Sequence, residues 1–228
     1  MFITLTFNQT VKLGFSQNQT ALLLTIWVMT IFGFKISGAH YNPALSFAFM
    51  LRKDVGSFPR ILAVAYIAAQ CFGALCGALI SWLLLVPGTS ILGVDSSGSV
   101  VPRRYGTEIA GSVVASIIAE PLGTFFVAFF YLTQTEAKTV FSKEKAINCF
   151  IIAASYVGAR AMLAGTENTV SGAVLNPAIG VATCFTMLFD NRVEDFQYVW
   201  IYALLPFIGS VAAVLFHEFV FKKTHEVL

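Results

Sequence analysis

Charge is scarce in this sequence. Asp, Glu, Lys and Arg make up 11% of its 228 residues, against about a quarter in soluble domains, and the shortage excludes an ordinary water-soluble globule. A net charge of +2 is too small to imply a nucleic-acid partner. Cysteine is sparse too. Cys71, Cys76, Cys149 and Cys184 all lie in apolar segments, and no pair has the spacing of a metal site or a secreted disulfide framework; they read as small core residues. His217 and His225 show no metal spacing, and no cofactor is implied. The N-terminus lacks a basic region and a small-residue cleavage site, so no secretory signal peptide is read there; the first long apolar helix can serve as the signal. No nucleophile–base set appears, which leaves enzymatic activity without support.

What is abundant is apolar length. Hydrophobic residues reach 57%, with 22 Phe. Runs over 20–37, 61–86, 109–132, 146–165 and 196–221 approach or exceed the ~20 residues that cross a bilayer. They predict five membrane-spanning helices, joined by polar connectors such as 88–106, rich in Gly and Ser, and 133–145, rich in Lys and Glu. Two shorter apolar stretches follow Asn42 and Asn176, and each opens Asn-Pro-Ala. The first, 43–51, would make about 13 Å of helix at 1.5 Å per residue, roughly half of a ~30 Å hydrocarbon core. Such a segment enters and turns back, provided its ends are buried in protein or face a water-filled cavity.

The two short stretches belong to a repeat. Residues 37–44 read SGAHYNPA and residues 171–178 read SGAVLNPA, six of eight positions matching at an offset of 134. Paired short segments in corresponding halves point to a site near the bilayer midplane between the repeats, and the chain divides as 1–95 and 96–228. If the Asn42 segment enters from the cytoplasmic side and the Asn176 segment from the other, Lys35, Arg52, Lys53, Arg60, Lys138, Lys143, Lys145, Lys222 and Lys223 lie inside. Lys12, Arg103, Arg104, Arg160 and Arg192 lie outside, which agrees with the positive-inside tendency.

Asn-Pro is a helix start with a mechanism. Asn caps the first turn, and Pro at the first helical position forfeits no needed donor. Free N–H groups and aligned peptide dipoles make each start locally positive. Two such starts meeting tip to tip would repel cations, while their Asn amides could donate to a passing oxygen. A neutral solute with a lone pair could then pass where an ion could not. The plainer reading is that Asn42 and Asn176 only cap helices.

The stretches FGFKISGAHYNPALSF (32–47) and VSGAVLNPAIG (170–180) resemble the two signatures of the aquaporin, or major intrinsic protein, family. Ala119-Glu120 with Gly123, Thr124, Phe125 and Phe126 resembles its fourth helix, Ala69-Gln70 its third, and Pro206 with Gly209 its sixth. The resemblance implies an all-α, inverted-repeat bundle of membrane-spanning helices with two re-entrant half-helices, a pore in each subunit and usually a homotetramer. Asn42, Pro43, Ala44, Asn176, Pro177 and Ala178 would line the pore centre. Glu120, the one carboxylate deep in an apolar span, would hold backbone groups of a re-entrant loop; the alternative is a Glu near the membrane face before Pro121.

By the same resemblance the selectivity constriction falls on Leu22, Met162, Ala173 and Ile179. Met162 is reached by matching VGARAMLAG to VGANILAG of plant vacuolar members. The family usually has Arg at the position of Ile179, and its water-selective members usually have His at that of Met162, so here all four are apolar. Arg160 reads as solvent-facing or snorkelling, with the outer mouth as its other option. His40 is expected to make a structural hydrogen bond. Ala69, Gly73 and Gly77, spaced by four, read as a close helix contact. Asn8 and Asn18 head glycosylation sequons.

Six full spans are expected from the resemblance and five are found, because only the apolar residues 1–7 precede the polar residues before Thr20. That absence implies a fragment of a longer chain, a split channel completed by partner chains, or a channel fold reused as scaffold. Two functions follow. One is passive flux of water or small neutral solutes through the lipid bilayer. The other is a non-conducting structural subunit of a larger membrane complex. A coupled transporter ranks below both, for want of a membranous pair of ion-binding carboxylates.

Overall fold

In the computed structural model, residues 1–10, 15–52, 58–85, 109–163, 172–190 and 193–227 are described, and among them the chain is helical without strands. Five helices are long and apolar enough to cross a membrane. They are α2 (Phe15–Ser37), α4 (Arg60–Leu85), α5 (Ile109–Thr135), α6 (Lys145–Leu163) and a composite C-terminal helix. The composite begins with a 3-10 segment, Val193–Tyr198. It continues as α8 (Val199–Phe216), passes through a π turn at His217–Phe221 and ends as α9 (Lys222–Val227). The apolar run that begins at residue 196 thus becomes α-helical only from Val199. The connector 88–106 lies outside the described residues.

Between the long helices sit the two half-helices, α3 (Pro43–Leu51) and α7 (Pro177–Thr186), of 9 and 10 residues. Each packs on the long helix of the opposite half, or of its own: α3 lies on α8 and α4, α7 on α4 and α8. A short first helix, α1 (Phe2–Thr10), lies between α2 and α4. It rests where α4 is small: a Cβ on Gly77 would lie 2.5 Å from the Met1 carbonyl oxygen, and one on Gly73 3.3 Å from the Met1 nitrogen. The sequons at Asn8 and Asn18 fall within α1 and α2.

Helices α5 and α8 approach closely. A Cβ on Gly209 would stand 2.1 Å from the Pro121 carbonyl oxygen and 2.8 Å from the Phe125 nitrogen. Only glycine lets the two backbones meet there. Pro121, at this contact, and Pro206, three residues before Gly209, sit inside helices, which membrane helices tolerate where neighbours take up the freed backbone groups. Apolar side chains cover the outside, among them Val28, Phe32, Ile61, Phe72, Ile118, Leu204 and Ile208. The buried interior instead holds Asn42, Glu120, Thr124, Asn148, Arg160 and Asn176. This inversion is what a lipid solvent dictates.

Candidate functional site

The two SGA segments fold alike. Gly38, Ala39 and Tyr41 have φ of 76, 55 and 48°, and Gly172, Ala173 and Leu175, each 134 residues later, have 75, 42 and 55°. Left-handed backbone at four non-glycine positions is costly, and it appears twice in the same order. The repeat read in the sequence is therefore also a repeat of strained backbone. Each segment delivers the chain to a half-helix.

At the half-helix starts, Asn42 Oδ1 accepts from the Ala44 N–H at 2.9 Å, and Asn176 Oδ1 from the Ala178 N–H at 3.1 Å. Each amide also crosses to the other loop. Asn42 Nδ2 donates to the Leu175 carbonyl at 2.8 Å, and Asn176 Nδ2 to the Tyr41 carbonyl at 3.0 Å. Residues 41 and 175 are themselves equivalent, so the crossing is two-fold. Both Asn side chains do more than cap: they tie the two half-helix tips together. Both residues are buried, with Pro43, Ala44, Pro177 and Ala178 beside them.

The loops are braced by different means. Glu120, fully buried on α5, accepts from the Val174 N–H at 3.0 Å and the Leu175 N–H at 2.8 Å, one on each carboxylate oxygen. Tyr156 donates to the Val174 carbonyl. In the first loop Tyr131 donates to the Gly38 carbonyl at 2.8 Å. There the His40 ring lies 3.0 Å from Ser46 Oγ, which also accepts from Gln70 Nε2.

A cavity of about 30 Å³ lies at the meeting of the tips, lined by Ile3, Ile26, Tyr41, Asn42, Tyr156 and Asn176 among others. It has room for about two waters, each needing ~10–15 Å³. A larger cavity of about 350 Å³ opens beside α1 between α2 and α4 and shares Ile3, His40 and Tyr41 with it. Leu22, Ala173 and Ile179 are buried in the core cluster of Phe7, Ile26 and Tyr156. Met162 is not among them. It is 65% exposed, on the outer side of α6. The inward position is taken two residues earlier by Arg160, which is only 1% exposed. Its Nη1 donates to the Gly172 carbonyl at 2.6 Å, and its guanidinium lies 4.3 Å from the centre of the Phe7 ring. The expectation of a solvent-facing Arg160 is thus corrected. The buried face of α6 runs Cys149, Ile152, Ala153, Tyr156, Ala159 and Arg160, and helical spacing turns residue 162 out of it.

The family model for the major intrinsic protein matches residues 2–217. The chain belongs to the major intrinsic protein family. It is 28% identical over 192 residues to a probable aquaporin PIP2-8 of Oryza sativa subsp. japonica, covering 82% of this chain and 62% of that one. To the glycerol uptake facilitator protein of Bacillus subtilis (strain 168) it is 28% identical over 219 residues, covering 86% and 73%. The chain thus spans about three fifths of the length of the first of these relatives. In fold it is similar to the aquaglyceroporin of Plasmodium falciparum, with a TM-score of 0.78 at 16% identity, covering 100% of this chain and 95% of that one. It is an integral, multi-pass membrane protein of this family.

Two features of this major intrinsic protein were not legible in its sequence. One is the inward Arg160, two residues before the Met162 that matching VGARAMLAG indicated. The other is a buried ion cluster where α3, α5 and the π turn meet. Arg52 Nη2 lies 2.7 Å from Glu136, and Lys222 Nζ lies 3.0 Å from Glu136 and 2.9 Å from Glu218. His217 is packed between the two carboxylates, at 3.6 and 3.5 Å. Glu136, His217 and Glu218 form a metal-like grouping, but two cations already balance the two carboxylates. The only sequence signal was i,i+4 spacing of Glu218 and Lys222.

Proposed function

We propose that the chain is a channel for the passive flux of water or small neutral solutes across the bilayer, with no enzymatic step. The observation that carries the reading is the crossed pair Asn42–Leu175 and Asn176–Tyr41 around a small polar-tipped cavity. Each Asn amide has a second N–H, and both half-helix starts add positive potential at one point. An oxygen with a lone pair gains donors there, whereas a cation meets repulsion without compensation. Asn42, Pro43, Ala44, Asn176, Pro177 and Ala178 would form this centre, Glu120 would hold the second loop in shape, and Leu22, Ala173 and Ile179 would form an apolar constriction. The halves 1–95 and 96–228 would be the two repeats.

The test is reconstitution of the full chain in liposomes, with water and glycerol flux followed by light scattering after an osmotic step. Flux well above empty vesicles, reduced at least fivefold by Asn176→Ala, is expected. Flux equal to that of empty vesicles would sink the reading.

A second reading has an observation of its own. Leu22 and Ala173 expose none of their surface and Ile179 only 2%, so these three side chains offer water almost nothing to touch. A non-conducting subunit of a membrane complex would have such a layer, and it would copurify with other chains. In either reading the large cavity beside α1 would be covered by a homotetramer neighbour, a partner chain or lipid. Native mass measurement of the purified protein separates the first two from the third.

A further inference from the structure

We infer that Arg160 is a specificity-determining residue of this site, the fixed positive charge that keeps cations out at the outer end of the cavity. The inference rests on the channel reading above and assigns its charge filter to a residue on α6.

Register carries the argument. Three cavity-lining residues, Ile3 on α1, Ile26 on α2 and Tyr156 on α6, each have a buried neighbour one helical turn away: Phe7, Leu22 and Arg160. In the topology that places the Asn42 half-helix on the cytoplasmic side, α1 and α6 run outward and α2 runs inward. Phe7 and Arg160 follow their cavity residues by four, and Leu22 precedes its own by four. All three therefore lie on the same, outer, side of the cavity. The Gly172 carbonyl, which leads into the second half-helix from that side, accepts from Arg160. The Phe7 ring lies under the guanidinium at 4.3 Å. Helical side chains lean toward the N-terminus of their helix, so Arg160 leans back from its own turn toward Tyr156 and the cavity.

A guanidinium inside a membrane span is costly, and such residues by default mark a solute or ion path. Arg stays charged and carries five N–H donors in a rigid fork. Clamped between a carbonyl and a ring, it brings that charge to the end of the cavity where Leu22, Ala173 and Ile179 carry none, with Glu120 the carboxylate near enough to act on it. A cation leaving the cavity would have to pass it in a water-poor layer, where repulsion is little screened. A merely structural role, bracing the loop through Gly172, would need the hydrogen bond but not the charge.

The experiment uses the full chain in liposomes, with sodium and proton leak read from entrapped dyes and water flux read in parallel. Arg160→Gln is expected to raise cation leak about tenfold over wild type, and Arg160→Lys, which restores the charge with a different hydrogen-bond geometry, to bring it back within about threefold. Equal leak in wild type and Arg160→Gln, both folded by circular dichroism, would overturn the inference. If Arg160→Gln does not fold, Phe7→Leu carries the test by removing the ring clamp. A threefold rise in leak supports the inference and no change overturns it. Water flux is scored separately: a wild type without it sinks the channel reading alone, and a cation leak opened by Arg160→Gln would still support the charge filter.

Discussion

Glu120 shows how much one side chain can settle. Its two oxygens take the N–H groups of Val174 and Leu175, which lie in left-handed or adjacent strained backbone. Gln at this position would turn an amide N–H toward one of those donors, leaving a buried group unsatisfied. Glu120→Gln is expected to cost about 2 kcal/mol, in the range for hydrogen bonds to a charged group, measured as a drop in thermal unfolding temperature in detergent. An unchanged unfolding temperature would show that the loop holds its shape without the carboxylate. Asn42 is the matching case on the other half. Asn42→Ala removes a cap and the bond to the Leu175 carbonyl. It is expected to cost about 2 kcal/mol, the upper end for a cap, in the same measurement.

Between elements, glycines decide which helices touch. Gly209 faces the α5 backbone at Pro121 and Phe125, and backbone cannot swing aside as a side chain can. Gly209→Ala is expected to destabilise by about 3 kcal/mol, the upper end for overpacking. Gly158 on α6 has nothing within 4 Å of an added Cβ. Gly158→Ala is expected to stabilise by about 0.5–1 kcal/mol through helix propensity. The pair is a control for each other: the same chemical change, in two long helices, should move unfolding temperature in opposite directions. Both glycines sit in apolar runs that read alike, so the sequence pattern did not separate them. The half-helices behave differently. Their starts are set locally by Asn and Pro, and each begins at the Pro that the sequence marks.

For the molecule as a whole, the ion cluster ties the C-terminal end of α3, the end of α5 and the π turn into one corner. Its side chains are 5–10% exposed, so bulk salt screens them little. Arg52→Ala leaves Glu136 and Glu218 facing Lys222 alone and is expected to cost about 3 kcal/mol, as when one partner of a buried pair is removed. The loss should persist in 0.5 M salt (a roughly fivefold excess over common assay buffers), which a surface pair would not show. Thermal unfolding at two salt concentrations checks it.

The lipid environment, the five spans and the paired half-helices were legible in residue order alone. Those follow from local properties: apolar length, the capping chemistry of Asn-Pro and a repeat at a fixed offset. Glu120 was legible for a similar reason, since a lone carboxylate in an apolar run must have a partner. Whether Arg160 or Met162 faces the core was set only in the packed fold, because that depends on the rotation of α6 about its axis. A shift from residue 162 to 160 is invisible in an apolar stretch yet turns a side chain by about 200° at 3.6 residues per turn. Packing also brings Arg52 and Glu136 to the Glu218–Lys222 pair, since groups 82 or more residues apart are joined only by how helices pack, and no local rule encodes that.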